Sequence, residues 1–201
     1  MMYAREHGCP WDSETCTAAA EGGHLEVLRW AREQGCEWVE GSMCQYAAAG
    51  GNVEVVRYAR ENGCPWDDKT TGIVAERGNL ELLKWLWAHG CPWEEGTTAC
   101  AAVEAGHLEV LKWLWEKGCP WDDETCGTAA AFGRLEDLKW LRAHNCPWHE
   151  GTCLDAAEGG ALEALIWLRE NGCPWDKEKC LAGALAAYAD DGETASWIEE
   201  H

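Results

Sequence analysis

The sequence contains no apolar run approaching the roughly 20 residues of a membrane-spanning helix, and residues 1–7 lack the apolar segment of a secretory signal. No Pro/Gly/Ser-rich linker and no low-complexity tract interrupts it. Basic residues are scarce: 16 Lys and Arg against 36 Asp and Glu leave a formal charge of -20, which repels phosphate backbones and anionic lipid. These absences predict a soluble, cytoplasmic chain that partners neither nucleic acid nor membrane. There is also no Gly-rich phosphate loop and no nucleophile elbow, so no catalysis and no cofactor are expected. His7-Gly8-Cys9, His89-Gly90-Cys91 and His144-Asn145-Cys146 look like metal-binding fragments, yet the same position is Gln34, Asn62, Lys117 or Asn171 elsewhere. Four ligands never gather with zinc-finger spacing, so no metal site is expected.

What the sequence has is a repeat. Gly-Cys-Pro-Trp or a near copy recurs seven times, at Gly8, Gly35, Gly63, Gly90, Gly118, Asn145 and Gly172, spaced by 27 or 28 residues. A fixed period in this range marks a solenoid, whose units cannot bury their apolar faces alone and must stack on their neighbours. One domain is expected over 1–201. It comprises a partial repeat at 1–7, full repeats at 8–34, 35–62, 63–89, 90–117, 118–144 and 145–171, and a capping repeat at 172–201. Tyr3-Ala4-Arg5-Glu6 matches Tyr58-Ala59-Arg60-Glu61 near the end of a unit, which suggests a piece of a longer array.

The first full repeat predicts two short helices. Asp12 is the expected N-cap of helix A, Thr15 to Glu21, which Gly22-Gly23 ends. Helix B runs from Leu25 to Gln34, apolar on more than one side, with Glu26 in its first turn where a negative charge complements the helix dipole. Gly35 falls just past the end, where a left-handed residue is wanted, and the one departure from Gly is Asn145, the other type tolerated there. Trp11 and its counterparts Trp38, Trp66, Trp93, Trp121, Trp148 and Trp175 are read as packing over the repeat junctions. Asp12, Asp67, Asp122 and Asp176 alternate with Glu40-Gly41, Glu95-Gly96 and Glu150-Gly151, which predicts a duplicated two-repeat unit with two alternating loop conformations.

Thirteen cysteines obey the same period. Seven follow the motif Gly or Asn (Cys9, Cys36, Cys64, Cys91, Cys119, Cys146, Cys173); Cys16, Cys44, Cys126, Cys153 and Cys180 share a second position, and Cys100 lies one residue beyond it. Like positions on successive repeats should stand roughly 8–10 Å apart, beyond the about 7 Å between Cα atoms that a disulfide tolerates. Reduced, buried thiols are therefore expected.

At His24-Leu25-Glu26-Val27-Leu28-Arg29, and again at His107-Leu108-Glu109-Val110-Leu111-Lys112, the chain resembles the second helix of ankyrin repeats. Ala19-Ala20 and Gly35-Cys36 fall where that family places its Ala-Ala and Gly-Ala pairs. These units are shorter than the about 33 residues of the family; the missing residues fall where it carries a β-hairpin finger, and Glu14-Thr15-Cys16-Thr17 replaces its Thr-Pro-Leu-His. The resemblance implies an all-α solenoid of helix-turn-helix repeats with essentially no β-sheet. It also implies a concave face lined by helix A that binds other proteins.

Comparing the units with one another separates positions the fold dictates from those it leaves free. The freest lie on helix A and at its end, and Tyr46, Glu76, Arg77, Glu104, Phe132 and Glu158 are the expected contacts. Trp87 and Trp115, where most units carry Arg32, Arg60, Arg142 or Arg169, form an alternative convex patch. The function expected is a non-catalytic, monomeric scaffold for a protein with a basic rim. The alternatives are a cysteine-based metal or redox module, or a regulatory segment of a larger multidomain protein.

Overall fold

Each helix pair is set by punctuation that recurs in most units. A carboxylate or its substitute starts helix A, a glycine-containing turn ends it, and a left-handed residue followed by the motif Cys closes helix B. A computed structural model describes residues 12–37, 42–93, 96–119, 121–186 and 192–201. Everything before residue 12, with Trp38, Glu40, Gly41 and Glu95, lies outside them, including the expected partial repeat, Cys9 and Trp11.

The chain divides into two units, Met1–Glu94 and Glu95–His201. The first holds α1 (Ser13–Glu21), α2 (Leu25–Glu33), α3 (Met43–Gly50), α4 (Val53–Glu61), α5 (Asp68–Glu76) and α6 (Leu80–Ala88). The second holds α7 (Thr97–Ala105), α8 (Leu108–Glu116), α9 (Asp123–Ala131), α10 (Leu135–Ala143), α11 (Glu150–Glu158), α12 (Leu162–Glu170), α13 (Lys177–Ala186) and α14 (Glu193–Glu200). No strand occurs among the described residues.

Within each unit the odd-numbered A helices form one layer, α1 on α3 on α5 and α7 on α9 on α11 on α13. The B helices form the other, with α2 on α4, and α10 on α12 on α14. The A layer buries small residues, such as Ala47 and Ala48 or Ala156 and Ala157, so neighbouring backbones approach closely. The B layer buries larger ones, among them Leu82, Leu83 and Leu86, each contributing about 1.5–3 kcal/mol. Asp137 breaks that pattern. It stands where other repeats have Val27, Val55, Leu82, Val110 and Ala164, it is 5% exposed, and its Oδ2 is buried without a hydrogen-bond partner.

The helix B ends follow the expected cap. Gly35 N–H donates to the Arg32 carbonyl and Cys36 N–H to the Ala31 carbonyl, the two bonds of a Schellman motif. Asn145, at φ +63°, is the only non-glycine residue with positive φ among the described residues. The helix A starts correct the expected alternation. Asp12, Asp67 and Asp122 cap from extended backbone, while Ser42 and Gly96 depart from that conformation. His149, in a unit expected to follow Ser42 and Gly96, returns to the Asp-like conformation instead. Its Nδ1 accepts from Gly151 N–H at 2.9 Å, and the Thr152 hydroxyl accepts from His149 N–H at 3.3 Å. Imidazole nitrogen thereby replaces the carboxylate oxygen, and Glu150 and Gly151 enter α11 instead of forming a loop.

Candidate functional site

The A helices end in turns too short to cover their last residues, so side chains there reach solvent. In the first unit Tyr46 is half-buried on α3, and Glu76 and Arg77 are exposed at the end of α5. In the second, Glu104 is exposed in the last turn of α7 and Glu158 in the last turn of α11. Phe132, the residue that caps α9, is 50% exposed.

Phe132 and Glu158 come together. With Asp155 they line an open cleft of about 660 Å³ between the ends of α9 and α11. Gly159 creates it: a Cβ there would lie 1.9 Å from the Ala131 carbonyl oxygen, so only glycine allows the two helix ends to meet. Gly127 does the same for the acid, since a Cβ there would lie 2.4 Å from Asp155 Oδ2. The Asp155 pKa is raised from its ordinary value by burial first and by the neighbouring Glu158 second, with His149 opposing. The cleft therefore presents one aromatic ring beside two carboxylates, one of them reluctant to ionise. Nearby, Arg134 donates from Nη2 to the Glu104 carbonyl at 2.8 Å and fastens the end of α7.

On the B side, the arginines near the helix ends share one arrangement. Arg60, Arg142 and Arg169 lie over Trp66, Trp148 and Trp175 with the guanidinium carbon 4.3, 3.8 and 4.5 Å from the ring centroid. Arg32, Arg60, Arg142 and Arg169 each donate to the carbonyl of the following motif cysteine, Cys36, Cys64, Cys146 or Cys173. Trp115 replaces such an arginine and stacks on Trp121 at 4.1 Å with the rings 4° from parallel. Trp121 in turn meets Trp140 edge-on at 5.5 Å. Trp87 and Trp115 are exposed, 43% and 40%, but Trp115 packs on Trp121 of the next repeat. A B-side cleft in the first unit, about 530 Å³, includes Arg57 and Arg60, whose guanidinium groups are already engaged by Glu54 and by the Cys64 carbonyl.

The thiols correct the sequence argument about their geometry. Among the described residues, cysteines at unlike positions twenty residues apart come together. Cys16 and Cys36 have their Sγ atoms 3.0 Å apart, and Cys44 N–H donates to Cys64 Sγ at 3.0 Å. Cys126 with Cys146, and Cys153 with Cys173, stand at the same two positions and act on one another's ionisation. The Cys36, Cys146 and Cys173 thiols also reach the N-cap carbonyls of Asp12, Asp122 and His149, at 2.7, 3.3 and 3.4 Å. Within two pairs the thiols diverge. Cys44 is raised by its hydrogen bond to Cys64 and by burial, whereas Cys64 is lowered by that same bond and by Arg60. Cys173 is likewise lowered, chiefly by its bond to Cys153 and also by Arg169. Burial pushes Cys91 up to about 12. The cysteines among the described residues are free thiols. Also among them, no group of three or more His, Cys, Asp or Glu is placed to hold a metal ion, and no helix is long and apolar enough to cross a membrane.

No family model matches the sequence, and no curated protein matches it either. Among solved structures, the crystal structure of the human ASB11 ankyrin repeat domain is similar to this chain with a TM-score of 0.68. The likeness covers 92% of this chain and 96% of that one at 18% sequence identity. At that identity it speaks for the fold alone, and with the paired helices, the Schellman ends and the two layers it gives this chain the ankyrin-repeat fold.

Proposed function

We propose that the chain is a non-catalytic protein-interaction scaffold that receives a basic segment of a partner protein at the ends of its A helices. The cleft at Phe132 carries this reading. An exposed ring beside Asp155 and Glu158, in a chain of charge -20, suits the aliphatic stem and cationic head of Lys or Arg. A cation seated there relieves the cost of ionising Asp155, so binding releases a proton and strengthens as pH rises through that residue's raised value. Glu104 in the same unit, and Tyr46, Glu76 and Arg77 at the A helices of the first unit, are the further contacts of this proposal. The protein acts as a monomer in a reducing cytoplasm.

Charges at a rim act mainly on association and its salt dependence, and a central aromatic anchor acts on dissociation. The test is the binding kinetics of a partner captured from the source cell. Phe132→Ala and Tyr46→Ala should speed dissociation, and Glu76→Lys with Glu104→Lys should slow association, with the helical circular dichroism intact. Trp87→Ala and Trp115→Ala are the controls. Loss of binding in the controls alone, with the fold retained, would move the site to the B side.

A further inference from the structure

Between a helix A and the motif cysteine twenty residues on, two features occur together or not at all: a cysteine at the pairing position of helix A and an arginine near the end of helix B. Where a helix A cysteine meets a motif cysteine twenty residues on, the B helix between them carries the arginine that donates to the motif cysteine's carbonyl: Arg32, Arg60, Arg142 and Arg169 for the four pairs. The two remaining motif cysteines flanked by described repeats, Cys91 and Cys119, have Thr71 and Ala99 at the pairing position and Trp87 and Trp115 in place of the arginine. Packing alone does not require this. Thr71 fills the site well, donating to the Pro92 carbonyl at 3.0 Å, and Trp115 covers Trp121 as well as a guanidinium covers its Trp. A cysteine pair and a cation held beside it are the parts of a dithiol that oxidises reversibly.

We propose that the four Cys–Cys–Arg sets are disulfide-forming sites, each oxidised by a hydroperoxide to a bond that staples helix A of one repeat to the start of the next. One cysteine of each pair, as thiolate, attacks the terminal oxygen of the hydroperoxide: the motif cysteine where the helix A thiol is the raised one, at Cys16, Cys44 and Cys153, and Cys126 where its bond to the motif Cys146 and burial raise that thiol instead. An S–O bond forms, the O–O bond breaks, and the departing alkoxide or hydroxide leaves as alcohol or water with a proton. The other sulfur of the pair then attacks the sulfenic sulfur; the S–S bond forms, the S–O bond breaks, and hydroxide leaves as water with the second thiol's proton. Two thiols lose two electrons to one peroxide. For Cys16 and Cys36 the sulfurs must close from 3.0 Å to a bond of about 2.0 Å. The bonds from Cys44 and Cys153 first, and the positive charge at Arg60 and Arg169 after them, favour the thiolate at Cys64 and Cys173.

The test treats the full reduced chain with hydrogen peroxide, blocks residual thiols, and maps the products by intact and tryptic mass. A trypsin site lies between the members of every pair, at Arg32, Arg60, Arg142 and Arg169, so each bond yields a linked peptide, and fragment spectra assign the cysteine where peptides such as 33–57, 118–134 and 143–169 carry two each. The expected result is a loss of about 8 Da before blocking, reversed by dithiothreitol, with links confined to the four pairs. Arg60→Gln should slow the Cys44–Cys64 link about threefold to tenfold with the other three pairs unchanged, and Arg60→Lys should restore it. Oxidation ending as a gain of about 32 Da per thiol without cross-links overturns the proposal. So do links that engage Cys91 or Cys119 as often as the pairs, or an equal effect of Arg60→Gln on every pair. The wild-type mapping requires no variant to fold.

Discussion

Asp137 is the residue at which the fold is most plainly improvable. A carboxylate lies 5% exposed in the B layer with one oxygen unpartnered, where its counterparts are Val, Leu or Ala. Leaving a buried acceptor unsatisfied costs about 1–3 kcal/mol, and an apolar side chain there gains about 1.5–3 kcal/mol by burial. Arg134, Lys112 and His107 lie near enough to favour the charged form, but burial outweighs them and raises the pKa above 3.8. Their attraction offsets part of the cost, so Asp137→Val should stabilise the protein by about 2 kcal/mol, raising the thermal midpoint by about 4–8 °C for a chain of this length. Because the native carboxyl holds its proton to higher pH than the unfolded one, the wild-type contribution is greatest below 3.8 and is lost as pH rises through the folded value. The advantage of the variant should therefore be widest at neutral pH and shrink on acidification. Urea unfolding of both proteins, at neutral pH and in mild acid, measures this. A variant no more stable at neutral pH, or a gap independent of pH, would show that the surrounding cations hold a favourable charge there.

The left-handed cap at Asn145 makes an equally local prediction. Asn145→Gly should leave stability within a few tenths of a kcal/mol, while Asn145→Ala should cost about 1–2 kcal/mol, as read from urea midpoints. Trp115→Arg should be neutral within about 0.5 kcal/mol, because a guanidinium there takes the Trp121 face as Arg142 takes that of Trp148. Thermal melts decide it, and a large loss would mean that the Trp115 stack holds the second unit together.

Features governed by neighbours in sequence were legible before any coordinates. Asp12 as a cap, the Gly22-Gly23 break and the left-handed Asn145 each depend on a few adjacent residues, and the structure has them as read. What depended on the next repeat was not. The thiol geometry was judged between like positions, although Cys16 meets Cys36, an unlike position on the following unit. The repeated arginines read as helix surface, and their reach to the motif carbonyl and over the motif Trp emerges only when the chain turns back. His149 showed no cap signal because an imidazole is a rare stand-in for a carboxylate. Of the site residues, Phe132 and Glu158 were marked by variation among units. Asp155 varied too, but its place in the same cleft depends on Gly127 lying beneath it. Asp137 was visible as a break in the apolar register of helix B, and only its burial gives that break an energy.

The central claim, that partners dock at the A-helix ends, is tested most directly by site-specific photo-crosslinking in the source cell. A p-benzoylphenylalanine at the position of Phe132 should yield a discrete adduct with a basic protein segment, weakened by added salt and by Glu158→Lys. The same probe at the position of Trp115 should yield none. An adduct formed from Trp115 and absent from Phe132, in a chain with unchanged helical signal, would contradict it.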